Sequence, residues 1–262
     1  KKAYEIASEQ YADKFDFSME KVNGPKRMLL TGNEAMGLGA IKAGCKFYVG
    51  YPMTPSSGLL SFMAKHAREF GIVVKLPEDE ISAGGMALGA AYAGVRAMTG
   101  TSGGGYCLMS EHVGLAGMLE IPMVIMEGQR PGPATGLPTR TGQGDLKFVL
   151  NAHQDEFPRI VVAPGCVEEA FRLAFDAFNM AEATHSPVVI LSDKHLCESS
   201  WTHEPFKTGG MKIDRGDLLT ARELEKMKEY KPHEVTESGV SPRSRPGRQI
   251  AVVGHEDLFG LQ

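Results

Sequence analysis

Between Arg27 and Asp193 the chain repeats one pattern: a short apolar run, a turn rich in Gly, Pro or Ser, then a stretch with helical spacing. The runs are Cys45–Tyr51, Ile72–Leu76, Arg96–Thr101, Pro122–Glu127, Arg159–Ala163 and Pro187–Leu191. They are rich in Val, Ile and Met and do not alternate with polar residues, as expected of strands buried on both faces of a parallel sheet. Between them the spacing predicts helices. Ser56–Phe70 starts after Thr54-Pro55 and stops at Gly71. Ile81–Tyr92 is rich in Ala and Gly, so its backbone can pack close to a neighbour. Val167–Ala183 carries Val167, Phe171, Ala174, Phe175 and Phe178 on one face. The alternation predicts right-handed βαβ crossovers and an α/β fold, an open, mostly parallel sheet with helices on both faces. Ligands of such sheets sit beyond the carboxyl ends of the strands, and chemistry is expected in the loops there.

The flanks differ from this core. Residues 1–26 are polar with a weak helical period (Tyr4, Ile6, Ala7, Tyr11, Phe15) and read as a linker or the tail of a preceding domain. The α/β unit is expected over 27–203. From 204 to 248 charges, Pro and Gly dominate, with an exposed helix expected over Ala221–Tyr230, a loop over Ser241–Gly247 and no strand. Gln249–Gly254 reads as the first strand of a further α/β unit occupying 249–262. With Lys1 in place of an initiator Met and an abrupt stop after Gly260-Leu261-Gln262, a segment of a longer polypeptide is expected.

Composition narrows the function classes. The net charge of −4 lacks the basic footprint of a nucleic-acid binder. No apolar run approaches a membrane span, and Lys1-Lys2-Ala3-Tyr4 does not begin a signal peptide, so a soluble, cytoplasmic protein is expected. The 4 cysteines (Cys45, Cys107, Cys166, Cys197) are scattered with no C-x-x-C, and the histidines show no metal-ligand spacing. No metal or iron–sulfur site built by this chain alone is expected.

Four turns carry candidate chemistry. In Tyr51-Pro52-Met53-Thr54-Pro55, two prolines stiffen the loop around Thr54, whose hydroxyl can serve a ligand or merely cap the next helix. Pro77-Glu78-Asp79-Glu80 places carboxylates at a helix start, where they act as dipole partners. A carboxylate desolvated at a subunit seam there can instead hold a proton. Gly100-Thr101-Ser102-Gly103-Gly104-Gly105 presents backbone N–H groups as an anion-binding turn would, without the Lys of a P-loop. It also fits G-x-S-x-G, which leaves open a serine hydrolase with Ser102 as nucleophile and Asp193 as acid. Arg130, followed by Pro131, Pro133 and Pro138, reads as a guanidinium preorganised for a carboxylate or phosphate, or as a surface Arg on a stiff loop. Gly37-Leu38-Gly39 is a poor dinucleotide fingerprint.

In order, Gly32-Asn33-Glu34-Ala35, Tyr51-Pro52-Met53-Thr54-Pro55-Ser56-Ser57, Glu78-Asp79-Glu80, Thr101-Ser102-Gly103, the run from Gln129-Arg130 to Pro138-Thr139, Gln143-Gly144-Asp145-Leu146 and Leu191-Ser192-Asp193 resemble the alpha subunit of 2-oxoacid:ferredoxin oxidoreductases. Met53, Gly104 and Pro131 depart from the family's usual Ile, Pro and Gly without removing a chemical group. The resemblance implies the pyrimidine-binding domain of a thiamin diphosphate enzyme, with 1–26 similar to the stretch joining a fused gamma domain. It implies a beta subunit holding the diphosphate, its Mg²⁺ and a [4Fe–4S] cluster, with coenzyme A as co-substrate and ferredoxin as electron acceptor. Nucleic acid and membrane are not implied. By motif position, Glu80 contacts N1′ of the aminopyrimidine, where a shared proton favours the imino tautomer. Arg130 pairs with the substrate carboxylate and Thr54 hydrogen-bonds it or the keto oxygen. Thr139 and Arg140 shape the pocket's far end, and Tyr51, Pro52, Ser102 and Gly103 border the cofactor. The 2-oxoacid, pyruvate or 2-oxoglutarate among others, is left open, as is a non-catalytic scaffold subunit.

Overall fold

The computed structural model describes residues 1–14, 17, 20, 23–227 and 229–246. Strands β2 (Phe47–Val49), β3 (Val73–Lys75), β4 (Ala97–Thr101), β5 (Val124–Gln129), β6 (Ile160–Val162) and β7 (Val188–Asp193) form a 6-stranded sheet in the order β3-β2-β4-β5-β7-β6. Every pairing in it is parallel. All of these strands lie within the apolar runs or extend them by a residue or two, since continuous Val, Ile and Met can be buried on both sides only where helices cover both faces.

Helices α2 (Gly32–Lys42), α3 (Ser57–Phe70) and α7 (Val167–Thr184) bury Met36, Leu59, Met63, Phe171, Phe175 and Phe178 against one face. Helices α4 (Glu80–Tyr92) and α5 (Gly103–Met118) bury Ala83, Ala87, Tyr106, Met109 and Val113 against the other, with Val149 of the short α6 (Leu146–Asn151). Full burial of each large apolar side chain stabilises the fold by about 1.5–3 kcal/mol. The glycines of α2 serve this packing: a Cβ on Gly39 would lie 2.1 Å from the Phe171 carbonyl oxygen of α7. That accounts for glycines there without a dinucleotide.

A second, two-stranded sheet pairs β1 (Met28–Leu30) with β8 (Trp201–His203) antiparallel. Between β7 and β8 runs α8 (Lys194–Glu198), capped by Asp193 through the Leu196 N–H at 2.9 Å. The flanks correct the expectations in detail. Residues Lys2–Tyr11 form a helix, α1, that buries no side chain. Helix α9 stops at Ala221–Leu224, with Leu224 its one buried residue; the polar residues beyond offer no stripe for the core. Gln249–Gly254 lies outside the described residues.

The segment after β8 is tied to the amino-terminal edge of the sheet by one carboxylate. Glu182, at the end of α7, is 3% exposed. It accepts from Arg96 Nε at 2.9 Å and pairs with Arg215 Nη2 at 2.8 Å and Arg243 Nη2 at 3.7 Å. Arg96 also donates to the Ala43 carbonyl at 2.6 Å and Asn179 Oδ1 at 2.8 Å.

Beside this cluster His185 turns the chain with φ 48 and is 4% exposed. Burial, then the Arg243 charge, push its imidazole down to about 4. The folded protein thus keeps His185 neutral where the unfolded chain takes a proton, so stability should fall as pH drops from about 6.5 to about 4. Denaturant midpoints across that window should show the loss, and His185→Asn, which tolerates the left-handed turn, should diminish it.

Candidate functional site

The strand order reverses at β2/β4: the chain leaves β2 outward to β3 and returns on the other side to β4. The crevice at such a point, beyond the carboxyl ends, is where α/β sheets bind ligands. The loop after β2 carries Thr54, and the turn after β4 carries Ser102 to Gly105. The neighbouring loops bring Glu80 after β3 and Arg130 after β5.

Glu80 is the first residue of α4, but it does not cap the helix. Asp79 does, accepting from the Ser82 N–H at 2.8 Å, and this bond holds the Asp79 carboxyl below its ordinary range. Glu80 is free to turn inward: it is 4% exposed, and its Oε1 is buried with no hydrogen-bond partner among the described residues. It lies against Gly105 of α5. A Cβ on Gly105 would stand 2.6 Å from Glu80 Cγ, 3.0 Å from Glu80 Oε1 and 2.0 Å from Thr101 Oγ1, so only glycine leaves room for the carboxylate. A buried acceptor without a donor is costly unless a ligand supplies one.

Thr54 and Arg130 are brought together. Arg130 Nη1 donates to the Thr54 carbonyl at 2.9 Å, leaving the rest of its fork for a ligand. The loop beneath is held from several sides. Asn33 Nδ2 donates to the Pro55 carbonyl at 2.9 Å, Ser56 Oγ to Met53 at 2.8 Å, and a Cβ on Gly128 of β5 would meet Pro55 Cγ at 2.7 Å. Tyr51 and Pro52 are exposed, as are Thr139 and Arg140. The Thr139 and Arg140 side chains make no hydrogen bond to Thr54 or Arg130.

The hydrolase reading does not survive. Ser102 is 0% exposed, and its Oγ has no hydrogen-bond partner, histidine or other, among the described residues. Asp193 is spent on the cap of α8 and on Gln143 Nε2 at 2.6 Å. Among the described residues no group of three His, Cys, Asp or Glu could hold a metal, and no helix is long and apolar enough to cross a membrane.

Sequence reasoning gave no individual role to Asn33, to Gly105 or to the buried Glu127. Glu127 left a legible signal: a carboxylate in the otherwise uncharged strand Val124–Gln129. Asn33 and Gly105 act through contacts between elements distant in sequence, which no local pattern reports.

A family model described as pyruvate flavodoxin/ferredoxin oxidoreductase, thiamine diphosphate-binding, matches residues 38–255. The chain belongs to this family. Within the oxidoreductase family it is 41% identical to the 2-oxoacid:ferredoxin oxidoreductase subunit alpha of Saccharolobus solfataricus, over 99% of this chain and 43% of that protein. It is 38% identical to the 2-oxoglutarate synthase subunit KorA of Methanothermobacter thermautotrophicus, over 86% of this chain and 59% of that subunit. A solved 2-oxoglutarate:ferredoxin oxidoreductase from Magnetococcus marinus, with 2-oxoglutarate, coenzyme A and succinyl-CoA bound, superposes with a TM-score of 0.82 at 34% identity. That match covers 94% of this chain and 43% of the other. The chain thus spans less than two thirds of each of these relatives.

Proposed function

We propose that this chain forms the pyrimidine-facing wall of the thiamin diphosphate site in a 2-oxoacid:ferredoxin oxidoreductase. The reaction is coenzyme A-dependent oxidative decarboxylation of a 2-oxoacid to acyl-CoA and carbon dioxide, with the electrons passed to ferredoxin. The observation that carries this reading is the buried, unpartnered Oε1 of Glu80 at the reversal of strand order. Such an atom fits a protonatable ring nitrogen presented by a ligand. Thiamin diphosphate, when bound, supplies the nucleophilic carbon and the electron sink for decarboxylation.

The chain's own residues then have separate tasks. Glu80 holds or shares a proton with the aminopyrimidine N1′ in a site that its burial keeps dry. Arg130 offers a planar fork to the substrate carboxylate, and Thr54 steadies it from below through its carbonyl while its hydroxyl serves the carboxylate or keto oxygen. Thr139 and Arg140 border the far end of the substrate; Tyr51, Pro52 and Gly103 line the cofactor's side of the cleft, and the buried Ser102 backs it from within. A beta subunit holds the diphosphate, Mg²⁺ and the [4Fe–4S] cluster, and a cytoplasmic location fits this reaction. In domain terms, 27–203 is the pyrimidine-binding unit, 1–26 the link from a gamma domain, 204–248 a connecting segment and 249–262 the start of a further domain.

Viologen reduction by the complete complex, assayed against a panel of 2-oxoacids, tests the reading. Arg130→Ala should raise KM for the preferred 2-oxoacid by at least about 30-fold, since loss of a contact to a desolvated carboxylate costs about 2–5 kcal/mol. An unchanged KM would remove Arg130 from the substrate site.

A further inference from the structure

Glu127 has no task in the chemistry above, yet it sits at the carboxyl end of β5, three positions before Arg130. It is 0% exposed, and neither carboxyl oxygen has a hydrogen-bond partner among the described residues. Its strand neighbour in β4 is Thr101. Asp145, at the far end of the Arg130 loop, is brought back to this end of the sheet. Asp145 is placed there by two contacts. Its N–H donates at 3.0 Å to Oε1 of Gln129, on the same face of β5 as Glu127, and its Oδ2 lies 2.6 Å from where a Cβ on Gly103 would stand. Gln129 is itself fixed, donating to the Ser192 carbonyl at 3.1 Å.

Two ionised carboxylates so placed are both acceptors and repel each other; a single proton between them supplies the missing donor. We propose that Glu127 is a positioning residue: it holds one proton in common with Asp145, and the resulting hydrogen bond clamps the end of the 130–145 loop, and so Arg130, onto the sheet. Burial first, then the nearby Asp145 carboxyl, raises the Glu127 carboxyl well above its ordinary range. Among the described residues, Tyr106 of α5 and Cys197 of α8 also sense Glu127, both uncharged when protonated, and no cation opposes the shift. The folded protein keeps this proton where the unfolded chain releases it. The clamp is therefore intact at low pH and is lost as pH rises through the pair's raised titration.

The consequence for substrate rests on the reading of Arg130 above; the proton pair does not. Two measurements on the complete, full-length enzyme separate them. In the infrared spectrum at neutral pH, a protonated-carboxyl C=O stretch should be present and should disappear in Glu127→Gln. In the pH profile, kcat/KM for the 2-oxoacid should fall about tenfold per pH unit above the pair's titration, through KM and not kcat. Glu127→Gln and Asp145→Asn, each a permanent donor, should both abolish that alkaline limb. A neutral-pH spectrum without the band, or a band unaltered by Glu127→Gln, overturns the proton pair whatever the activity. The band with an alkaline limb unchanged in both variants overturns the clamp. The band in an enzyme that turns over no 2-oxoacid upholds the pair and overturns the functional reading instead.

Discussion

Glu80→Gln should abolish turnover of the assembled enzyme, by about 10²–10⁴-fold, while leaving the fold and subunit assembly intact. The amide has nearly the same shape, so it fits the niche that Gly105 leaves beside Thr101. What it cannot do is hold or exchange a proton at the position where Oε1 now lacks a partner. Because Asp79 makes the helix cap, α4 keeps its start in the variant. Viologen reduction set against thermal unfolding separates the two effects. Wild-type activity in Glu80→Gln would end the assignment of this residue, and with it the observation on which the functional reading stands.

The second large effect concerns stability. Glu182→Ala should cost about 3–5 kcal/mol, because removing one partner of a buried charge network strands the others. Arg96, Arg215 and Arg243 would then lose their shared carboxylate, in a site where Arg215 Nε and Arg243 Nε already lack acceptors. Burial already pushes the Arg243 guanidinium down to about 10, and Glu182 opposes that shift. Denaturant titration should report the loss, and limited proteolysis should find the segment after β8 cut first, since Arg215 and Arg243 bind it to the sheet edge. Equal stability and an equally resistant segment in Glu182→Ala would show that backbone contacts alone hold it.

The parallel sheet was readable from the sequence because each strand is a continuous apolar run set between Gly- or Pro-rich turns, a pattern few other structures produce. Thr54, Glu80 and Arg130 were legible for a related reason: each follows one of those runs, and strand ends in such sheets converge. The ribbon of β1 and β8 escaped notice because Met28–Leu30 and Trp201–His203 are too short to carry a period. Helix α1 shows the converse, in that Tyr4 and Ile6 have helical spacing but remain exposed, so periodicity alone did not reveal whether anything covers them. The niche for Glu80 depends on an absent side chain at Gly105, and the placing of Asp145 at the Glu127 end of the sheet depends on how a long loop returns. Neither is encoded in neighbouring residues.

The ribbon has a mechanical consequence. With Leu30 registered opposite Trp201, the strands that open and close the α/β unit lie side by side. Because Met28 pairs with His203, both flanks leave from the same end of the ribbon, and tension through them would peel this short seam apart before it reached the crevice at the strand ends. The unit is therefore built like a cassette with adjoining entry and exit, able to sit within a longer chain while its strand ends keep their spacing.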